Sequence, residues 1–383
     1  MSVTSAQGFR AAGVAAGIKA GGGPDVALVV NDGPQHAAAA VFTTNRVQAA
    51  PVRWSRQACA DGRLDAVVLN SGGANACTGP RGFQDTHRTA EHVAEALGIS
   101  AVDVAVCSTG LIGIYLPMDR LLAGVDAAVA AVSADGGAAA AEAIRTTDTV
   151  RKQAAREAAG WTVGGMAKGA GMLAPALATM LVVVTTDAVA DGETLDAALR
   201  EACRLTFDRL DSDGAMSTND TVVLMASGAS GRTPSPEELT TAVTEVCADL
   251  ARQLLADAEG ATKTIAIEVT GAAAEDEAVD VGRAVSRSNL VKCAVYGEDP
   301  NWGRILAAAG TTAAAFDPDQ VDVAINGVQV CRGGAPGEAR EAVDMSGPDV
   351  RITLDLHAGP AAATVWTNDL TADYVHENSA YSS

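Results

Sequence analysis

One stretch constrains this chain more than any other. From Lys168 to Ala178 it carries a lysine, two glycines (Gly169 and Gly171) and Pro175, which supply permissive backbone, a fixed φ and no regular period. From Leu181 to Thr186 a β-branched run reads as a buried strand. Thr179 therefore sits where a loop enters a core strand. If the peptide bond between Ala178 and Thr179 were cut, Thr179 would carry a nucleophilic hydroxyl and its own free α-amine. The reference pKa of such an amine, about 7.7–8.0, suits a general base near neutrality. By composition alone the same residues also read as a glycine-flexed turn with threonine in a small-residue slot.

A strand of this kind needs a core. With 383 residues and 48% hydrophobic content the chain can bury a sizeable one, as one large or two ordinary domains. A formal net charge of −20 argues against nucleic acid or an anionic membrane as partner. A small anionic substrate remains compatible if a pocket lysine overrides the global field. Seven widely spaced cysteines without a C-x-x-C predict reduced thiols. The five histidines are scattered, and the i, i+5 spacing of His87 and His92 does not put both on one helix face, so no metal site is expected. The amino terminus lacks the pattern of a secretory signal, and no stretch reaches the roughly 18 apolar residues of a membrane span. A cytoplasmic protein is expected.

In chain order, strands are predicted at 26–30, 38–44 and 66–69. A helix follows, with Asp85 as cap, Ala90, Val93 and Leu97 on its apolar face, and Gly98 ending it. A strand at 102–106 delivers Cys107, Ser108, Thr109 and Gly110, small and hydroxyl residues at a strand end where donors can be aimed at a developing oxyanion. Cys107 is a rival thiol nucleophile, ranked below Thr179. A helix over 119–132 precedes an Ala- and Gly-rich surface stretch at 133–141. Helices over 194–207 and from Ser235 to Leu254 read as covering helices, the second punctuated by a Ser235–Glu238 capping box. Further strands are predicted at 221–225, 263–270, 321–325, 352–356 and 362–366. The tail has few apolar anchors, which predicts fraying.

The A-T-M-L context of Ala178–Leu181 resembles the self-cleavage site of the ornithine acetyltransferase (glutamate N-acetyltransferase) family. So do Asn70-Ser71-Gly72-Gly73-Ala74-Asn75-Ala76-Cys77-Thr78-Gly79, Cys107-Ser108-Thr109-Gly110-Leu111-Ile112-Gly113, Asp257-Ala258-Glu259-Gly260, Asp299-Pro300-Asn301-Trp302-Gly303-Arg304 and the terminal Glu377-Asn378-Ser379-Ala380-Tyr381-Ser382-Ser383. These stretches span nearly the full length in the family's order. The resemblance implies an α+β protein, an α/β/β/α sandwich shared with the amino-terminal peptidase superfamily. It also implies maturation into fragments 1–178 and 179–383 that stay one folded unit, and an α2β2 heterotetramer.

The implied reaction is ping-pong transfer of acetyl from N2-acetyl-L-ornithine, through Thr179, to L-glutamate, a step of arginine biosynthesis. By the same resemblance Thr109 and Gly110 build the oxyanion hole. Thr146 of the Thr146-Thr147-Asp148 motif contacts substrate, with Thr147 second, and Lys168, Glu259, Asn378 and Ser383 bind substrate. Where the family commonly has proline, this chain has Arg151. No cofactor is implied, although acetyl-CoA stays open as a second donor. An amidohydrolase or aminopeptidase of the same superfamily would pass its acyl group to water, and a binding protein would show no cleavage.

Overall fold

The computed structural model describes residues 1–172 and 180–380. Two sheets stack face to face. The first has four strands in the order Phe9–Val14, Val26–Asn31, Ala66–Ser71 and Val104–Thr109, the last pair parallel. The second has five, in the order Ala37–Phe42, Thr221–Ala226, Leu181–Thr186, Thr162–Lys168 and Lys152–Glu157. Several of these strands are apolar throughout because both faces are covered. Side chains alternate, so Ala27, Val29, Val67 and Leu69 meet Met166, Leu181, Val183 and Val223 between the sheets. The intervening Val26, Leu28, Val68 and Val106 pack outward against Ala90, Val93, Leu121 and Val125. These last come from helices Gly79–Leu97 and Met118–Ala131. Val182, Val184, Val222 and Leu224 pack the other way, against Leu195, Leu199, Val243 and Leu250 from helices Gly192–Leu205 and Pro236–Ala256. The layers are helix, sheet, sheet, helix, as the resemblance implies.

Local chemistry explains most boundaries. Ser235 Oγ accepts the Glu238 amide at 3.2 Å while Glu238 accepts the Ser235 amide at 2.8 Å, which closes the capping box. Gly98 ends its helix in the left-handed region at φ 71°. That helix begins at Gly79, with Pro80 in its first turn, so Asp85 lies inside it and is not its cap. The Ala- and Gly-rich stretch is not a surface element: helix Gly137–Ala143 buries Ala140, Ala141 and Ala143. It lies so close to the first strand that a Cβ on Gly13 would stand 1.9 Å from the Ala139 carbonyl oxygen. The tail is helical over Ala372–Ala380 rather than frayed.

The predicted late strands join a third, six-stranded sheet with its own core, which strand periodicity alone did not reveal. Thr264–Ala272 lies between Asp349–Asp355 and Ala361–Asn368, and helix Glu275–Ser286 covers it through Ala278, Val281 and Val285. Among the described residues no helix is long and apolar enough to cross a membrane.

Candidate active site

Parallel pairing of Ser71 with Thr109 puts two strand ends side by side and lets the chain turn between them. The Gly73 amide donates to the Thr109 carbonyl at 3.0 Å, and the Ala74 amide to the Leu111 carbonyl at 2.9 Å. Gly110 has φ 125°, and a Cβ there would stand 2.6 Å from Gly73 N, so only glycine fits. Asn70 Nδ2 donates to the Gly73 carbonyl at 3.1 Å, and Ser108 Oγ donates to Asn70 Oδ1 at 2.6 Å. The Asn70–Gly79 motif thus builds a rigid turn against Thr109 and Gly110.

Lys168 ends the strand Thr162–Lys168 and is 2% exposed. Its Nζ donates to Thr109 Oγ1 at 3.2 Å and lies 4.0 Å from Asp148 Oδ2. Asp148 accepts the Thr146 amide at 3.0 Å, the Gly169 amide at 2.7 Å and Lys152 Nζ at 2.6 Å. Lys152 Nζ also donates to Asp257 Oδ2 at 2.6 Å, and Asp257 accepts the Thr149 amide at 3.0 Å and the Thr149 hydroxyl. Burial acts to raise the Asp148 carboxyl, but Lys168, Lys152 and the Gly169 amide outweigh it and hold it well below the usual carboxylate range. Burial lowers Lys168, against the opposing pull of Asp148. Asp148 therefore ties Thr146, Lys152, Lys168 and Gly169 into one buried unit. Its motif was legible in the sequence, whereas its hub role was not, since Lys152 and Asp257 look like surface charges there.

The loop after Lys168 leads to Glu259, whose amide donates to the Ala170 carbonyl at 3.0 Å. A Cβ on Gly171 would stand about 2.5 Å from the Glu259 carboxylate, so this glycine leaves the acid room. Asn378 Nδ2 donates to Glu259 Oε2 at 3.0 Å. Thr147, Thr149, Asp257, Glu259 and Asn378 line a cavity of about 630 Å³. Thr146 lines a different one of about 490 Å³, with Lys19, Arg145 and Gly110. The two threonines of the motif thus face separate spaces. Ala178, Thr179 and Ser383 lie outside the described residues. The amide of Met180, the next residue along, donates to Asp220 Oδ1 at 3.0 Å.

Burial pushes the Cys107 thiol up, which keeps it protonated and unsuited to nucleophilic attack. Among the described residues no three His, Cys, Asp or Glu side chains are grouped to hold a metal ion. The buried set can do one kind of chemistry well. The Thr109 hydroxyl, next in sequence to Gly110, lies within hydrogen-bond reach of the buried Lys168 ammonium, and groups of these kinds are suited to meeting a developing negative charge.

Comparison with known proteins bears on which reaction that charge belongs to. The ArgJ family matches residues 10–383. The "arginine biosynthesis bifunctional protein ArgJ" of Thermobifida fusca is 69% identical over 382 residues, covering all of both chains. Its namesake in Streptomyces avermitilis is 67% identical over 383 residues, again covering both chains fully. A crystal structure of ornithine acetyltransferase complexed with ornithine, from Mycobacterium tuberculosis, is 61% identical and covers 47% of this chain and 96% of its own, with TM-score 0.45.

Proposed function

The chain belongs to the ArgJ family, and from that premise we propose which of its residues perform the reaction. It is an acetyltransferase of arginine biosynthesis that moves the acetyl group of N2-acetyl-L-ornithine to L-glutamate. In our reading the chain first cuts itself between Ala178 and Thr179, giving fragments 1–178 and 179–383 that assemble as an α2β2 heterotetramer. The freed Thr179 amine takes the proton of its own hydroxyl, which attacks the acetyl carbonyl. Ornithine leaves, and glutamate then receives the acetyl group in the second half of a ping-pong cycle.

The observation that carries the assignment is the hydrogen bond from Lys168 Nζ to Thr109 Oγ1. By occupying an oxygen lone pair it leaves the threonine proton free to point at the oxyanion, and the ammonium polarises that O–H further. The Gly110 amide supplies the second donor. Glu259, held by Asn378, meets the side-chain ammonium of acetylornithine, while Lys168, Thr146 and Ser383 serve the remaining polar groups of the substrates. The relatives' name "bifunctional" supports acetyl-CoA as a second acetyl donor, with no bound cofactor. Seven free cysteines suit a reducing compartment, and we place the enzyme in the cytoplasm.

The test is conversion of acetylornithine and glutamate to ornithine and N-acetylglutamate by the cleaved protein, with an acetyl-CoA and glutamate arm run beside it. Release of free acetate without need of glutamate would make the protein an amidohydrolase, and no turnover would leave a binding protein. Thr109→Ala is expected to lower kcat per cleaved site by about 100-fold with KM nearly unchanged, since one oxyanion donor is lost and Gly110 remains. A kcat within about threefold of the parent, far short of such a loss, would remove Thr109 from the oxyanion hole. Glu259→Gln is expected to raise KM for acetylornithine about 10- to 100-fold, the worth of one charge-assisted hydrogen bond, and to alter glutamate KM less. An equal effect on both substrates would argue against pairing with the ornithine ammonium.

A further inference from the structure

The turn between Ser217 and Asp220 reaches both halves of the site. Asn219 Nδ2 donates to the Ser108 carbonyl at 2.8 Å and to the Ala74 carbonyl at 2.6 Å, and its Oδ1 accepts the Thr218 hydroxyl at 2.6 Å. With both ends of the amide used, its rotamer is locked. The next residue, Asp220, accepts the Met180 amide on Oδ1 at 3.0 Å. Neither side chain has freedom to move: Asn219 is 3% exposed and Asp220 fully buried. Thr43 clamps the turn from behind, its amide donating to the Asp220 carbonyl at 3.0 Å and its hydroxyl to the Ser217 carbonyl at 2.8 Å.

The covalent geometry gives these contacts their meaning. The Ser108 carbonyl and the Thr109 amide belong to one planar peptide group, as do the Thr179 carbonyl and the Met180 amide. Asn219 therefore grips the peptide unit that sets the direction of Thr109, and Asp220 grips the amide of Met180, the residue that follows position 179. Two consecutive residues hold the two peptide groups. We infer that Asn219 and Asp220 are a paired positioning device that sets the separation between the hydroxyl of Thr179 and the oxyanion donors Thr109 and Gly110. This rests on the reading of Thr179 as the nucleophile.

Burial pushes the Asp220 carboxyl well above the usual carboxylate range, against the Met180 amide, the Ser217 and Thr43 hydroxyls and Lys168, which pull the other way. Asp220 Oδ1 anchors the Met180 amide as an acceptor. Asparagine keeps a side-chain oxygen for the Met180 amide, so Asp220→Asn serves as the conservative rescue.

The experiment measures kcat per cleaved site, KM and the thermal midpoint for Asp220→Ala, Asp220→Asn, Asn219→Ala, Asn219→Asp and the double alanine variant, with Thr179→Ala beside them. A displacement of about 1 Å between reacting groups costs on the order of 100-fold in rate. Asp220→Ala and Asn219→Ala are therefore expected to lower kcat by about 30- to 100-fold with KM within about threefold, and Asp220→Asn to stay near the parent. The double variant should lose less than the product of the single losses, because both residues set one distance. Should Asp220→Ala not fold, Asn219→Asp carries the same test, since its carboxylate still accepts from Thr218 but has no N–H for the Ser108 carbonyl. Single variants that lose thermal stability yet keep kcat within about threefold, while Thr179→Ala is inactive, would overturn the inference and leave Thr179 in place. Transfer by Thr179→Ala would overturn the nucleophile reading itself.

Discussion

Thr179→Ala is expected to leave an intact 383-residue chain with no acetyl transfer. In the proposed mechanism Thr179 carries both functional groups, so its loss would remove the covalent step and the cut that frees the amine. The fall in kcat is expected on the order of 10⁴–10⁶, the scale on which removal of a covalent nucleophile acts. Thr179→Ser keeps the hydroxyl and should retain part of both activities. A denaturing gel reads the cleavage, and amino-terminal sequencing of the later fragment should give Thr-Met-Leu-Val-Val-Val. Transfer by the uncut alanine chain, or active parent protein that stays a single chain, would defeat the assignment.

The second large effect is structural and falls on Asp148. Lys152 and Lys168 are both buried, and Asp148 carries the compensating charge between them. Asp148→Ala leaves the buried Lys168 without its carboxylate and Lys152 with Asp257 alone, and should cost about 3–5 kcal/mol of stability. It also frees the Thr146 and Gly169 amides, so surviving protein should bind substrate poorly. Chemical denaturation measures the first effect and KM the second. The sign of the pH dependence follows from the depressed carboxyl. A folded-state pKa below the unfolded value of about 3.9 contributes stability that is present above pH 4 and lost as pH falls toward the folded value. The parent should therefore lose more stability than Asp148→Ala on acidification below about pH 4. Equal acid sensitivity of the two proteins would show that the Asp148 carboxylate is not held by its lysines.

What could be read from the chain in advance was whatever local chemistry decides. The capping box at Ser235, the left-handed Gly98 and the apolar strand before Asp187 each depend on neighbours within a few positions, and each was legible. The Thr109–Gly110 pair was legible as a strand end, and the family's motifs named its companions. Asp148 as a hub was not, because Lys152, four residues on, carries no mark of burial, and Asp257 joins the cluster only through Lys152. Asn219 and Asp220, just before the strand predicted at 221–225, carried no signal of their own in the sequence. Asn219 reaches Ser108 only once the two sheets are stacked, and Asp220 reaches Met180 only once Leu181–Thr186 pairs with Thr221–Ala226. The helix Gly137–Ala143 was misjudged because alanine and glycine are silent about depth. They fit a surface, and they fit equally a place where backbone must pass against backbone.

The second sheet draws its strands from both sides of residue 179. Leu181–Thr186 lies between Thr162–Lys168 and Thr221–Ala226, and Ala37–Phe42 borders the latter. A cut after Ala178 turns the pairing of Thr162–Lys168 with Leu181–Thr186 from a contact within one chain into a contact between two. From that moment unfolding is also dissociation, and its midpoint depends on how concentrated the molecule is. Refolding becomes a second-order encounter, slower on every dilution, where the precursor needed only to find itself. The mature enzyme would then persist because its fragments separate slowly, its lifetime set by an escape rate rather than by an equilibrium it could regain.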